Sequence, residues 1–467
     1  MMEYTKEQQT IINSNSTNIL VNAGPGMGKT HLLLGIAKKY NNQTKGLLCF
    51  NAPIRKEIID KVNKNDIDMI DVNTFHSLAF KALSQRGEIN NFKNRNFNSP
   101  LDYFSMLKII NDLKIENDNQ FIINRLLELI KNFCKSDLTF EVFFKDINEK
   151  ELVLQILNYL LNNPKAPMFH EVYIKVYQLI LLNSKIQNYN CLMIDEYQDV
   201  SPCYLSIINN INKEKIVKVG DTLQKIYGYN GALGMEGHDF KLSKSFRIGQ
   251  DTANICNRLI DIFIGNESLH INGVNQNQTI CNINSDEKKT IIFRTNKGLM
   301  NRLIKETKNK NKCIISNNLY EELQHIYKLS NVSIFFPYTF RGIKFTNKDM
   351  IYECYQKSNN QVLKKTIEFM EEYQETTNRI LYEVLQNITV EQDEGNIYLT
   401  TTHRSKGLEF ENVELADDFP TIHELIRKRN QYIDCTDEIY ILYVALTRSY
   451  GKLQLNKDLE HFINGGI

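Results

Sequence analysis

Apolar positions along this chain fall into two alternating patterns. Ile19-Leu20-Val21 is a short apolar run suited to a buried strand, followed by a loop of small residues and a predicted helix over 31–39. Residues 46–50 repeat the strand pattern and lead into a basic amphipathic helix, and 69–80 reads as strand, turn and helix. The strand pattern returns at 191–194 and 215–220. Strands alternating with helices at this spacing predict an α/β fold built on a parallel sheet. Between them the pattern changes. Residues 103–113, 121–133, 151–161 and 171–182 are amphipathic at the helical period with no strand among them, which predicts an all-helical insertion. Its aromatics Phe133, Phe140, Phe143, Phe144 and Tyr159 are expected to form its own core. Farther on, 289–294, 395–401, 412–416 and 451–455 predict the strands of a second sheet. A stretch of mostly amphipathic helix over 361–388 interrupts that sheet.

A chain of 467 residues is too long for one core, and the patterns divide it four ways. Residues 1–90 and 189–244 form a first α/β domain, 91–188 its helical insertion, 245–316 and 395–467 a second α/β domain, and 317–394 a short insertion in that one. A hydrophobic fraction of 42% and a charged fraction of 24% are ordinary for a soluble globular protein. The net charge of +1 gives no global basicity, so any polyanion groove must be a local patch. Nine cysteines scattered without a C-x-x-C pair argue against a disulfide framework or a zinc site and for reduced thiols. With no apolar run of the roughly 18–20 residues a membrane span needs and no apolar signal core at the start, a soluble, intracellular protein without a membrane partner is expected.

The candidate chemistry begins at Ala23-Gly24-Pro25-Gly26-Met27-Gly28-Lys29-Thr30. Glycines between a strand and a helix let backbone N–H groups turn onto a pyrophosphate, and the helix N-terminus adds partial positive charge. In such a loop Lys29 reaches the β- and γ-phosphates and the Thr30 hydroxyl faces Mg²⁺. The first position of the usual G-x-x-x-x-G-K-T pattern is Ala23 here. The apolar strand ending in Asp195-Glu196 is the expected partner: the aspartate holds Mg²⁺ and the glutamate orients and deprotonates water. Gln8 lies in a short predicted helix upstream. Its amide can donate and accept at once, as adenine recognition requires, although read alone it fits a solvated N-terminal helix.

Further motifs follow in order. They are Thr74-Phe75-His76-Ser77, Asp195-Glu196-Tyr197-Gln198-Asp199, Val219-Gly220-Asp221 with Gln224 and Tyr227, Ser245-Phe246-Arg247, Thr401-Thr402-His403-Arg404-Ser405-Lys406-Gly407-Leu408-Glu409, and Tyr443-Val444-Ala445-Leu446-Thr447-Arg448. Together with the phosphate loop they resemble the UvrD/Rep group of superfamily 1A helicases over nearly the whole chain. The wording is nearest to the F-box-type DNA helicases, without an F-box segment. The resemblance implies two RecA-like P-loop domains with ATP and Mg²⁺ between them. It further implies 3′→5′ translocation on single-stranded DNA and unwinding of 3′-tailed duplexes, with protein partners left open.

By the same resemblance, Arg247 and Arg448 reach the γ-phosphate from the second domain and Gln224 senses it. Gln8 reads adenine, Glu409 contacts the ribose, Phe246 stacks on adenine where Tyr is usual, and His31 stands where Arg is usual. Phe50, Asn51, Thr74, His76, Tyr227, Tyr229 and His403 match positions that stack on bases or bond phosphates. Tyr229 replaces a usual Trp, and Asn230 stands where Arg is common. The short second insertion and the chain's end soon after Arg448, with no room for an appended nuclease domain, leave a second expectation. It is a DNA-stimulated ATPase subunit that senses or regulates, as in antiphage defence, with little unwinding.

Overall fold

A computed structural model describes residues 3–87, 89, 92–97, 99–115, 120–184, 188–228, 231–391 and 395–465. The protein is a mixed α/β structure with two parallel sheets. The first contains β1 Asn18–Ala23, β2 Lys45–Cys49, β3 Ile70–Thr74, β4 Asn188–Ile194, β5 Asn212–Gly220 and β6 Phe240–Leu242. These lie in the order β3-β2-β4-β5-β1-β6, every pair parallel. Parallel strands are covered on both faces, so their sequences read as apolar runs rather than alternations. Ile19, Val21, Leu47, Leu192 and Met193 are fully buried. Because β5 alone separates β1 from β4, the phosphate loop after β1 and the acidic turn after β4 leave the same carboxyl edge, where parallel sheets carry their ligands.

A two-stranded parallel pair, β7 Lys244–Ser245 with β8 Asn272–Gly273, leads to the second sheet. That sheet contains β9 Thr279–Ile280, β10 Lys289–Phe293 and β11 Cys313–Ile314. After a hairpin of β12 Tyr338–Phe340 and β13 Ile343–Phe345, it resumes with β14 Ile388–Thr389, β15 Ile397–Thr401, β16 Phe410–Leu415 and β17 Ser449–Gln454. The order is β14-β11-β15-β10-β16-β17-β9, again parallel.

Between β3 and β4 the described residues contain helices and no strand. Helices Tyr103–Asp112, Gln120–Lys135, Lys150–Asn162 and His170–Asn183 pack around Leu126, Ile130, Ile156 and Tyr177. The Phe133 ring lies 5.3–5.8 Å from those of Phe140, Phe143 and Phe144, the aromatic core expected there. The segment 317–394 works in two directions. Leu319, Leu323, Phe369, Leu381 and Val384 share a core with Ile291 and Phe293 of the second sheet. Leu329, Phe340, Phe345 and Ile351 instead join the core of the helical insertion, with Phe340 and Phe104 rings 6.0 Å apart. β14 belongs to this segment and is an edge strand of the second sheet. The helical stretch expected over 361–388 is broken into Gln361–Tyr373 and Thr377–Gln386. Gln374 turns the chain at φ 46°, and its carbonyl accepts from the Thr377 hydroxyl at 2.7 Å. Among the described residues no helix is long and apolar enough to cross a membrane, and no cluster of three metal-ligating side chains occurs.

Candidate functional site

The phosphate loop follows from its glycines. Gly26 and Gly28 have φ of 67° and 79°, the left-handed region that side chains resist. A Cβ on Gly26 would sit 2.3 Å from that of Arg247, so the loop also needs glycine for close approach. Gly28 caps the helix Lys29–Lys39, two residues longer than the sequence pattern gives, and offers no side-chain acceptor to its first N–H groups. Those donors face the loop's hollow, an anion site by geometry. Lys29 Nζ donates to the Ala23 carbonyl at 3.3 Å and lies 3.8 Å from Glu196 Oε1, across the mouth of the loop.

Asp195 and Glu196 follow β4. Asp195 is 3% exposed and accepts from the Glu196 N–H at 3.0 Å. Glu196 holds φ 51° and ψ 44°, a strained conformation for a side chain of its size. Gln198 fixes it, donating to Glu196 Oε2 at 2.6 Å while its own Oε1 accepts the Asp221 N–H at 3.0 Å. Burial, with the Glu196 charge beside it, pushes the Asp195 carboxyl up to about 7. Burial also acts against ionised Glu196, but Lys29 and Lys406 hold its carboxyl below the usual range. The turn thus carries one ionised carboxylate and a second that a cation would ionise.

Two guanidinium groups face this turn. The segment carrying the first is tied to the phosphate loop: the Ser245 hydroxyl donates to the Pro25 carbonyl at 2.7 Å, and the Phe246 N–H donates to that of Gly26 at 2.9 Å. The backbone of Arg247 therefore packs against the loop on the side of the first sheet. Its guanidinium alone reaches the side of the second sheet, donating to the Thr447 carbonyl at 3.2 Å and pairing with Glu409. Its Nε is buried without a partner. Arg448 is 1% exposed and follows the helix Thr436–Leu446, donating to the Val444 and Leu408 carbonyls at 2.9 and 3.2 Å. Burial, and then the Arg247 charge, push Arg448 down to about 9. Two largely buried cations with an orphaned N–H, set between a phosphate-type loop and a carboxylate pair, fit a polyphosphate with its divalent cation.

A cavity of about 370 Å³ joins these groups. Gly24, Gly26, Gly28, Lys29, Thr30, His31, Asp195, Glu196, Gln224, Phe246, Arg247, Glu409 and Arg448 all line it. Gln8 does not. It is 2% exposed, its amide donating to the Gly28 carbonyl at 3.4 Å and accepting from the Thr5 N–H at 3.1 Å. Ala23 lies buried at the end of β1. Gln224 donates to Asp221 Oδ2 at 2.8 Å, and the Tyr443 hydroxyl, from the helix before Arg448, lies 3.4 Å from the same oxygen. Sequence reasoning missed Tyr450, Lys61 and Glu57, which also line the cavity. The only signal for Tyr450 was its place two residues after Arg448.

The residues expected on DNA are spread over two places. Phe50 packs against Phe75 and Tyr204, and Asn51 caps the helix Ala52–Lys64. The Thr74 hydroxyl caps the helix Phe75–Arg86, and His76 meets the His170 ring edge-on at 5.1 Å. These four lie at the ends of β2 and β3 in the first sheet. Tyr227 and His403 meet between the two sheets, the Tyr227 hydroxyl donating to the His403 carbonyl at 3.1 Å. Tyr229 and Asn230 lie outside the described residues. Beside His403 is a cavity of about 660 Å³ that Arg294 and Thr295 also line, two residues the sequence reading left out. Arg294 is held there by Glu438 at 2.7 and 2.6 Å.

Residues 4–236 match the family described as the UvrD/REP helicase N-terminal domain, and residues 173–324 match the viral superfamily 1 RNA helicase core domain. The chain is 26% identical to the F-box DNA helicase protein 1 of Schizosaccharomyces pombe, over 97% of this chain and 57% of that protein. It is 24% identical to the F-box DNA helicase 1 of Gallus gallus, over 99% of this chain and 50% of that one. A match to the ATP-dependent DNA helicase PcrA of Leuconostoc citreum is 24% identical over 55% of this chain and 38% of that protein. The chain thus spans about half the length of the first two relatives.

Proposed function

Since this chain belongs to the UvrD/REP helicase family through residues 4–236, we propose that it is an ATP-dependent translocase on single-stranded DNA that unwinds 3′-tailed duplexes in the 3′→5′ direction. The observation that carries this reading is the convergence of Lys29, Glu196, Arg247 and Arg448 on one cavity. When bound, magnesium-ATP supplies the phosphoanhydride bond and the metal's charge. Lys29 and the loop N–H groups would bind the phosphates, and Thr30 with Asp195 would hold the metal. Glu196, kept ionised by Lys29 and Lys406, would take the proton from water. Arg247 and Arg448 would meet the negative charge that grows at the leaving phosphate. Gln224 would report the state of that site through Asp221 to Tyr443, whose helix ends two residues before Arg448.

Strand displacement on duplexes with 3′ or 5′ tails, read beside ATP turnover with and without single-stranded DNA, tests the proposal. Displacement from the 3′ tail alone supports it. Turnover stimulated by single strands without displacement leaves a DNA-dependent ATPase and removes the helicase.

A further inference from the structure

Three helices, Asn296–Lys308, Asn317–Ser330 and Gln361–Tyr373, enclose a cavity of about 540 Å³ that shares no lining residue with the nucleotide cavity. Each gives it one face. Leu319, Leu323 and Ile326 recur at helical spacing, and Phe369 and Tyr373 stand one turn apart with ring centroids at 5.5 Å. Met300 completes the floor. Leu319, Leu323 and Ile326 are buried and share a core with Ile291 and Phe293 of the second sheet, so the floor is fixed from below. Met300 and Tyr373 are half-buried. Protein cores leave few gaps larger than a water molecule, and a hollow of this size on an apolar floor has the dimensions of a binding site.

The rim is acidic. Glu322, Glu368, Glu371 and Glu372 line it against Lys297 and Lys365, in a chain whose net charge is +1. Both lysines are engaged: Lys365 pairs with Glu322, and Lys297 lies 3.8 Å from Glu372. Glu368 and Glu371 carry the excess charge and are exposed, with Lys364, outside the cavity, 3.8 Å from Glu368. Such a rim repels a nucleic-acid backbone, which sets this cavity apart from the surfaces assigned to DNA. It adjoins one of them all the same. Asn296 lines both this cavity and the one beside His403, and Glu322 takes Arg404 of that second cavity at 3.4 Å.

We propose that this groove docks an amphipathic helix of a partner protein, with its apolar face on Met300, Leu323, Phe369 and Tyr373 and its Lys or Arg side chains on Glu368 and Glu371. Apolar side chains spaced along one face of a helix fill a groove of this kind, and charge complementary to the rim sets which helices enter. This docking is independent of the ATP and DNA chemistry proposed above.

The test uses the full chain and a fluorescein-labelled helical peptide of Leu and Lys in heptads, beside two controls with Ser for Leu or Glu for Lys. The Leu–Lys peptide should bind, and each control should bind at least about tenfold more weakly. Glu368→Gln with Glu371→Gln should weaken the Leu–Lys peptide about tenfold and flatten its salt dependence. Met300→Gln with Tyr373→Ser should weaken it about as much and leave the salt dependence in place, because neither side chain is charged. In spectra of the methyl-labelled methionines, the Met300 signal is the one missing from the Met300 variant. It should shift when the peptide is added to the unaltered chain, and that of Met168, buried in the helical insertion, should not. This readout needs no variant that binds. Failure of the Leu–Lys peptide to bind, equal binding by the Ser control, or binding with the Met300 signal unmoved would overturn the proposal. Self-association of the unaltered chain, abolished by the Met300 and Tyr373 changes, would overturn it in favour of a second copy. An equal Met300 shift with dodecylamine would overturn it in favour of a small cationic amphiphile.

Discussion

Lys406, in the stretch between β15 and β16, donates to both carboxylate oxygens of Asp199 beyond β4, at 2.8 and 2.6 Å. The same ammonium donates to the Gln224 carbonyl at 2.6 Å and lies over the Tyr227 ring at 4.7 Å. Both side chains of the pair are 7% exposed, so this is a buried bridge between the two sheets' halves. Removing one partner of such a pair leaves an uncompensated buried charge, at roughly 3–5 kcal/mol. Lys406→Met should therefore lower the melting temperature and weaken DNA stimulation of ATP turnover. Adding Asp199→Leu should recover most of the melting temperature and none of the stimulation. A double variant that regained stimulation would show the bridge to be structural only.

Lys29→Ala and Glu196→Gln should both abolish turnover but separate in binding. Loss of Lys29 removes a ground-state phosphate contact, so nucleotide affinity falls. Loss of the Glu196 charge removes the proton acceptor and leaves the phosphate contacts in place, so affinity persists. Nucleotide titrations on both variants check this, and near-normal hydrolysis by Glu196→Gln would sink the assignment.

The fold is legible in the sequence where apolar runs are long enough to carry a period. Ile19-Leu20-Val21 and Cys191-Leu192-Met193-Ile194 read as buried strands, and both lie inside the first sheet. Strands of two residues, such as Cys313–Ile314 and Ile388–Thr389, carry no period and give no signal. The phosphate loop is legible because its glycines and Lys29 are adjacent in sequence. The wiring around it is not. Lys406 and Asp199 stand 207 positions apart, and Gln198 joins Glu196 to the Asp221 backbone only once β4 and β5 are paired. The Gln8 amide, read from the sequence as an adenine contact, bonds Thr5 and Gly28, partners that the sequence alone does not reveal.

Arg448→Ala should keep single-strand affinity while turnover falls at least about a hundredfold, in keeping with arginine contacts to a transferring phosphoryl group. Its guanidinium is buried beside Arg247 and would meet charge that exists mainly in the transition state. Arg448→Lys should not rescue, because one ammonium cannot span Val444, Leu408 and the cavity together. Collapse of DNA affinity with turnover intact would make Arg448 a groove residue.

His76 supplies a pH-dependent stability with a definite sign. Burial, and then the neighbouring His170, push it down to about 4. The rings facing it are His170 and Tyr173, with centroids at 5.1 and 6.2 Å. In the unfolded chain His76 titrates near its ordinary value of about 6.5, so between there and about 4 the unfolded state holds a proton that the folded state lacks. Stability from this group is therefore intact above about 6.5 and falls as the pH drops towards 4, by at most roughly 3 kcal/mol. His76→Gln should flatten that part of the stability curve in urea titrations across the pH series. Because His76 is neutral near pH 7, it should add no pH dependence to DNA binding between about pH 6.5 and 8. A histidine-linked rise in affinity on lowering the pH through that range, lost in His76→Gln, would mean that DNA draws the ring out of its contact with His170.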